Sequence, residues 1–324
     1  MAANSEVALI TESLLKWKSN KAGATAITLG LVRAVRIQVD RNYQDVEKTD
    51  GEFDHAKKLQ DPRVSTSFTI NYRDHANAYL GSAANGFAEK DATKSVPDGT
   101  LYIETLQPDG TYDKSQVDKA TLMAFTRRST GEIEYSLESY GEPVLANGVA
   151  TTAGAVGTSG NPEIIVQPET YVKWKTDSAV GTPAPSAQTL GFVSGGWDYS
   201  VQFNRVPVFN NNGTFSHWKE PRKPRYTVNV NKLYQDFTSE LLMPHTATGT
   251  APATSGFNQL KAGQTVPTGT LSVEGRHADG STLDVTQFPK GKLASWGRTL
   301  GDPDTLTLTF NGIGSPSFGS VTLS

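Results

Sequence analysis

The feature that most constrains the fold of this 324-residue chain is an internal repeat. Residues 6–20, EVALITESLLKWKSN, match residues 163–177, EIIVQPETYVKWKTD, and further matches follow in the same order. The offset between matched positions only grows along the chain, from 157 to 161, 162, 170 and 173. Chance matches would scatter in offset and order, whereas small insertions in one copy make the offset grow. We therefore infer that one domain was duplicated.

The repeat predicts two domains joined by a linker. The first domain covers residues 1–145 and the second covers residues 161–324. Between them, residues 146–160 (ANGVATTAGAVGTSG) carry Gly, Ala and Thr without periodicity, which is typical of a flexible linker. The matched pairs include Trp17/Trp174, Gly51/Gly213, Phe53/Phe215, His55/His217, Arg63/Arg225, Gly99/Gly269 and Gly141/Gly314.

The composition favours strands and turns. Hydrophobic residues make up 36% and charged residues 19% of the chain, so Thr, Ser, Asn and Gln form a large uncharged polar share. Such a chain forms short strands with polar outer faces more readily than long helices. The predicted fold class is mainly β, with two tandem antiparallel β-sandwich or barrel domains, each with one flanking α-helix.

The first segment of each copy is ambiguous. Residues 5–18 alone show an apolar stripe at helical spacing, but the matching segment contains Pro168, which a regular helix does not tolerate. We therefore expect an extended strand or arm in both copies, and a helix in the first copy stays open. Further strands are predicted at 32–39, 64–70, 120–127, 132–139, 197–203, 226–230, 292–298 and 304–311, long polar hairpins at 40–62 and 204–224, Asp-Gly hairpins at 100–112 and 270–282, and helices at 73–80 and 234–242.

Charge and cysteine content exclude several classes of function. The 30 basic and 33 acidic residues give a net charge of −3, which argues against a surface that grips nucleic acid. The chain has no Cys, which excludes disulfides, thiolate metal sites and thiol catalysis. The apolar runs are short and the first twenty residues carry acids, so we expect neither a membrane span nor a secretory signal.

Motifs for catalysis or cofactor binding are weak. The five His residues show no metal-ligand spacing, and His55 and His217 fit packing or hydrogen bonding at a hairpin tip better than a metal site. Gly312 and Gly314 precede Pro316 and open no helix, which favours a β-turn over a nucleotide loop. We predict no catalytic residue, no metal and no cofactor, and therefore no enzyme. A site assembled from distant residues stays open.

The ordered set of features, present twice, resembles the tail tube (major tail) proteins of long non-contractile phage tails. The set is Thr-Leu-Gly, a strand, a long hairpin with Gly-x-Phe, a strand after Pro-Arg, a Tyr-x-Asp helix, an Asp-Gly hairpin and a terminal Gly-x-Pro. The resemblance covers nearly the whole chain. It implies a sandwich that joins its neighbours into a barrel, with a long hairpin reaching the adjacent subunit.

Some tail tubes of this kind are trimers of a chain with two tube domains, which imitate a hexameric ring. The resemblance therefore implies a structural virion protein, made in the host cytoplasm, that stacks as homotrimeric rings into a helical filament and conducts DNA into the host. Its implied partners are other copies of itself, a tape measure protein, tail-end proteins and, transiently, double-stranded DNA, with no membrane.

Fusing two domains also allows the copies to differ in charge. Residues 1–150 carry 17 basic and 21 acidic residues, a net −4, and the rest carry 13 and 12, a net +1. A neutral or acidic bore would let a DNA duplex slide, whereas a basic bore would bind its phosphates. We expect the Lys-Trp-Lys arms and the long hairpins to contact other subunits or rings. The candidate contact residues are Trp17, Trp174, Phe53, Phe215, His55, His217, Arg63 and Arg225.

Two alternatives belong to other classes of protein. A tandem β-sandwich adhesin or carbohydrate-binding protein fits the Thr-rich strands, although the helix in each copy and the absent signal count against it. A tube protein of a contractile tail or secretion system shares the domain, but such a protein usually carries one copy per chain.

Overall fold

A computed structural model describes most of the chain, and most of its described residues lie in antiparallel strands. The mainly β fold class is confirmed. The described residues are 13–21, 24–29, 32–48, 53–71, 80, 86–88, 95–153, 170–177, 187–192, 196–233, 268–276, 283–319 and 322.

Among the described residues, ten strands belong to the first half of the chain and eight to the second. In the first half they are β1 Ser13–Ser19, β2 Ile27–Thr28, β3 Val32–Asp40, β4 Tyr43–Glu47, β5 Phe53–Lys58, β6 Arg63–Asn71, β7 Gly99–Leu106, β8 Tyr112–Arg128, β9 Glu132–Tyr140 and β10 Val144–Gly148. In the second half they are β11 Thr170–Thr176, β12 Gln188–Phe192, β13 Gly196–Phe209, β14 Phe215–Leu233, β15 Gly269–Arg276, β16 Leu283–Thr299, β17 Thr305–Ile313 and β18 Ser317–Gly319.

The two halves have the same strand order. In the first half the order is β2-β1-β7-β8-β9-β6-β3, and in the second it is β12-β11-β15-β16-β17-β14-β13. The short last strand of each half, β10 or β18, pairs with the start of β8 or β16. The strands β4 and β5 form a separate two-stranded sheet, whereas their counterparts are the distal parts of β13 and β14.

The irregularities of the ladders also coincide. Gly99 lies opposite Ala120 and Gly269 lies opposite Gly291, and a bulge follows each pair at the same place. The residues preceding Ala120 and Gly291 are Lys119 and Lys290, with φ of 52° and 58°. A left-handed lysine is uncommon, so its recurrence at matched positions shows that both long strands turn in the same way.

Each half is built of two layers that share one long strand. The start of β8 pairs with β7 and the end of β8 pairs with β9, so β8 passes from one layer to the other at its bulge. Strand β6 alternates between buried residues such as Val64 and Phe68 and more accessible hydroxyl residues, as a strand with one covered face does. The core lies between the layers, where Trp17 packs on Phe87 with centroids 4.6 Å apart.

The expected N-terminal strands are present as β1 and β11, and residues 5–12 lie outside the described residues. The helix windows 73–80 and 234–242 also lie outside them, except for the buried Leu80. The expected flexible linker, residues 146–160, begins inside a strand, because residues 146–148 are the last three residues of β10.

Thr151, in the same expected linker, is also bound to the first half. Its backbone N–H donates to Glu104 Oε1 at 2.7 Å, and its carbonyl accepts from Lys16 Nζ at 2.6 Å. Residues 154–160 lie outside the described residues.

Candidate assembly interface

The two halves join edge to edge through their backbones. Residues Asp198–Gln202 of β13 pair antiparallel with residues Arg128–Ala124 of β8. One polar-faced sheet therefore runs through both halves, in the order β3-β6-β9-β8-β13-β14-β17-β16. We call the pairing of β8 with β13 the internal joint.

A buried ion pair lies beneath the internal joint. Arg127 Nη2 of the first half donates to Asp284 Oδ2 of the second half at 2.7 Å, and both side chains are at most 3% exposed. The guanidinium also lies 5.2 Å from the ring centroid of Trp197 and 5.9 Å from that of Tyr199. The Tyr199 hydroxyl lies 3.1 Å from Thr286 Oγ1. The pair thus connects the core of the first half to that of the second.

Burial has a large effect on Asp284. Removal from water raises the pKa of this carboxyl well above its ordinary value. Arg127 is the cation placed to favour its charged form. Breaking such a pair leaves an uncompensated buried group, so the two residues tie the halves into one structure.

A second buried arginine anchors the long hairpin of β13 and β14 to the first half. The Arg205 guanidinium donates to the carbonyls of Phe87, Ala88 and Leu122 at 2.9 to 3.1 Å. Its Nε lies 3.5 Å from Glu220 Oε2 on the same hairpin. Burial lowers the pKa of Arg205 to about 10, although the group stays protonated at neutral pH.

The tip of the same hairpin packs on the end of β9. The Tyr140 ring stacks on Phe215 with centroids 5.6 Å apart and meets Phe209 edge-on at 5.0 Å. Asp61 closes the contact, because its Oδ2 accepts from the Phe215 N–H at 2.8 Å and its own N–H donates to the Gly213 carbonyl at 3.0 Å. Gly213 has φ of +77°, and a Cβ there would collide with the Leu59 carbonyl.

The two ends of the continuous sheet are open. In the described part of the chain, β3 pairs only with β6, and residues 292–299 of β16 pair only with β17. By the repeat, β3 corresponds to β13 and this part of β16 corresponds to the end of β8. The open edges are therefore the counterparts of the two strands that form the internal joint.

The accessible face of the sheet carries hydroxyls and amides in the second half. Asn229 Nδ2 donates to Asp198 Oδ1 at 3.0 Å, and Thr309 Oγ1 donates to Asn229 Oδ1 at 3.0 Å. The first half carries more charge on this face, such as the ion pair of Arg63 with Glu138 at 2.6 Å. A shallow depression on the face is lined by Arg225, Lys292 and Asn311, among other residues.

The prediction that Trp17 and Trp174 contact other subunits needs correction. Their side chains are 1% and 2% exposed, because β1 and β11 place them between the two layers. Each ring lies against the first glycine of the strand paired with its own, Gly99 of β7 or Gly269 of β15. A Cβ added at either glycine would come within about 2.6 Å of the tryptophan ring. The Lys-Trp-Lys motifs are therefore core elements.

The other predicted contact residues are placed differently. Phe215 of the second half stacks on Tyr140 of the first half, so this residue makes a contact between the two halves of one chain. His217 is exposed, with Nδ1 3.1 Å from Ser216 Oγ, and Arg225 is exposed on the polar face. Arg63 pairs with Glu138, which raises its pKa. Phe53 and His55 lie in β5, and their side chains are outside the described part of the structure.

The residues that join the halves most firmly were missed in the sequence. In the sequence, Arg127, Asp284 and Arg205 belong to no motif that marks them as buried. One signal was available, because Arg127 and Asp284 each have a matching residue of the same type, Arg298 and Asp113, at one common offset of 171. Arg205 gives no such signal, because its counterpart is Tyr43.

Comparisons with known proteins supply no family. No protein-family model matches the chain, and no curated protein matches it with significance. Among the residues that the structure describes, no helix is long and apolar enough to cross a membrane. Within the same residues, no three His, Asp or Glu side chains are grouped so as to hold a metal ion.

Proposed function

We propose that this protein is the tube subunit of a long non-contractile phage tail, which polymerises as stacked rings and conducts DNA. The observation that carries the proposal is the internal joint between β8 and β13. It pairs the edges of two equivalent halves, and equivalents of both strands lie open at the two ends of the sheet. The same joint can therefore form again with further copies of the chain.

Repetition of the joint produces a closed ring if its rotation closes, as heterologous contacts can do. Three chains supply six equivalent halves, in agreement with a trimer that imitates a hexamer. Each chain contributes eight strands to the continuous sheet, so a trimer would form a barrel of twenty-four. Closure also removes the open strand edges, which otherwise promote aggregation.

The polar face of the sheet supports a conduit for DNA. Its hydroxyl and amide ladder, built on Asn229, Thr309 and their neighbours, offers hydrogen-bonding groups that satisfy one another. Two of its arginines, Arg63 and Arg128, lie within 4 Å of carboxylates, whereas Arg225 and Lys292 line the shallow depression. A face on which carboxylates neutralise part of the positive charge binds phosphates more weakly than a basic face, so a duplex inside such a barrel would slide.

The first experiment is assembly of the purified full chain. We expect concentrated protein to form tubes or three-fold rings in negative-stain micrographs and to sediment as large particles. A protein that remains monodisperse and monomeric at all concentrations, and binds a glycan instead, would favour the adhesin alternative.

A second experiment tests the first hairpin as an assembly arm. Strands β4 and β5 pair only with each other among the described strands. Replacing residues 44–57 by Asn-Gly should therefore keep the core and its thermal unfolding, while tubes fail to form. Tubes of normal length from this variant would refute the arm, although not the ring.

A further inference from the structure

The repeat allows the internal joint to be mapped onto the open ends of the same chain. The long strands correspond at an offset of 171, because Lys119 and Lys290 share a left-handed φ and the two bulges coincide. The edge strands correspond at an offset of 162, because Asp40 pairs with Arg63 as Gln202 pairs with Arg225.

Both members of the buried ion pair have counterparts of the same type. At the offset of 171, Arg127 corresponds to Arg298 and Asp284 corresponds to Asp113. Within one chain these two counterparts occupy different halves, and each has a local partner. Arg298 Nε donates to Asp304 at 3.1 Å, and Asp113 accepts from Gln107 Nε2 at 2.7 Å. A joint between two chains would bring Arg298 of one copy to Asp113 of the next.

The apolar contact over the joint also has exposed counterparts. In the chain, Phe125 of β8 packs against Phe318 of β18 with centroids 6.1 Å apart. Their counterparts are Trp296 and Leu145, which are 36% and 76% exposed. Trp296 lies on the open part of β16, and Leu145 lies on β10 of the first half, where by the repeat it takes the place that Phe318 has beside the internal joint. They can therefore cover each other only across two chains. Exposed apolar residues at two complementary positions favour a second copy of this chain as the occupant.

We propose that Arg298 of one copy pairs with Asp113 of a neighbouring copy, and that Trp296 packs beneath Leu145 of that neighbour. This inference rests on the ring assembly proposed above and adds its register. Residues 36–40 of one chain pair with residues 299–295 of the other, so Gln38 lies opposite Gly297. This is the register that Ser200 and Thr126 have within the chain.

Charge reversal tests the ion pair. Arg298→Asp and Asp113→Arg should each lower the yield of sedimentable tubes about tenfold, because close charge pairs at interfaces change affinity by at least that factor. The double variant restores the opposite charges and should recover most of the yield. Thermal unfolding of the unassembled chains controls for the fold. Two single variants that assemble normally, or a double variant no better than either, would overturn the ion pair.

Disulfide trapping tests the register. Because the protein has no Cys of its own, only the introduced residues can form a disulfide. Gln38→Cys with Gly297→Cys should give covalent dimers and trimers on non-reducing gels, because a ring of three chains closes on itself. The in-chain counterpart, Ser200→Cys with Thr126→Cys, is the positive control and should close within one chain. Gln38→Cys with Thr299→Cys, two residues out of register, should cross-link at least about fivefold less, because bridged Cα atoms lie within about 7 Å.

The outcomes separate this inference from the proposed function. Tubes that form without the predicted cross-link, or that cross-link equally well out of register, overturn the register and leave the tube subunit standing. If the unmodified chain forms neither rings nor tubes, the proposed function fails and the interface fails with it.

Discussion

Strands β13 and β3 occupy the same place in their two halves, and their apolar side chains have different surroundings. On β13, Tyr199 and Val201 are completely buried, because β8 and Arg127 cover them. Their counterparts on β3, Ile37 and Val39, are only partly buried. The apolar alternation is the same in both strands. The two strands differ in whether a neighbour covers the edge.

This difference indicates what an open edge means in this molecule. The partly buried residues of β3 still pack against the core, and β6 pairs with the strand on one side, so β3 is held in place without a strand at its open edge. A matching strand would complete their burial, and each Å² of apolar surface removed from water contributes about 25 cal/mol. The open edge is therefore an incomplete copy of the internal joint, and the internal joint indicates the geometry of its completion.

The two long hairpins differ more than the edges do. The second one reaches the first half and is anchored there by Arg205. At the matching position the first hairpin carries Tyr43, which is 51% exposed. The second hairpin thus carries a buried anchor to the first half at a position where the first hairpin carries an exposed side chain. The most sensitive tests of the comparison change one residue in one variant and its counterpart in a second variant, and compare the two effects.

The largest effect is expected at Arg205. Arg205→Met removes the donor for three buried carbonyls and leaves Glu220 buried beside an apolar chain, which should destabilise the fold by about 3–5 kcal/mol. Tyr43→Ala, the matched control, should change the stability by at most ~0.5 kcal/mol because its side chain is exposed. Urea unfolding measures both. Equal effects at the two positions would mean that the hairpins are equivalent in solution.

The next effect concerns Glu104, which accepts from Lys16 at 2.6 Å and from the Thr151 N–H at 2.7 Å. Glu104→Gln should cost about 3 kcal/mol because it leaves Lys16 buried without its carboxylate. Its counterpart Glu274 pairs with Lys173, whose side chain is 23% exposed. Glu274→Gln should therefore cost roughly half as much, since water reaches the remaining charge. A larger loss at Glu274 would contradict this order.

The same pair predicts a pH dependence. Burial by itself would raise the pKa of Glu104, but the bonds from Lys16 and Thr151 outweigh burial and lower the pKa below its ordinary value. A carboxyl with a lowered pKa in the folded state contributes stability above its unfolded pKa, near 4.3, and that stability is lost as the pH falls through the folded pKa. The temperature of thermal unfolding should therefore fall more steeply below about pH 4 in the parent protein than in the Glu104→Gln variant. Parallel curves would contradict the assignment.

Much of the fold could be predicted because alternation is a local property. The repeat corrected the local interpretation at one place, where Pro168 excluded a helix that residues 5–18 suggested, and β1 and β11 are strands from residues 13 and 170. Within a strand, apolar residues that alternate with hydroxyl residues indicate which face of the strand is covered. The strand order could not be predicted in this way, because it depends on contacts between distant segments.

The candidate interface was less predictable for a related reason. The Lys-Trp-Lys arm is predicted to contact other subunits, yet alternation along β1 turns Trp17 toward the core and its flanking lysines toward the other side. Arg205 was missed because a buried arginine needs carbonyls that come from residues 83 to 118 positions away. Sequence spacing carries no information about such partners. Only the recurrence of Arg127 and Asp284 was present in the sequence.

A smaller effect is expected at the two glycines behind the core tryptophans. A Cβ at Gly99 would collide with the Lys18 carbonyl oxygen and lie 2.6 Å from the Trp17 ring, and one at Gly269 would lie 2.5 Å from both the Lys175 carbonyl oxygen and the Trp174 ring. Gly99→Ala and Gly269→Ala should each destabilise their half by about 1–3 kcal/mol through overpacking. Gly319→Ala, where the added atom meets nothing within 4 Å, is the control. Unequal costs at the matched glycines would show that one core has room to adjust.

The smallest effect is expected on the polar face. Asn229 donates to Asp198 and accepts from Thr309, so Asn229→Ala should cost about 0.5–1.5 kcal/mol in the unassembled chain. Its counterpart is Ser67, and Ser67→Ala should cost at most ~0.5 kcal/mol, as partly accessible hydroxyls usually do. Denaturant unfolding compares the two. Neither side chain lies at an edge, so tube formation should survive both changes. A variant that keeps its stability but loses its tubes would place this face in contact with another subunit and not around a bore.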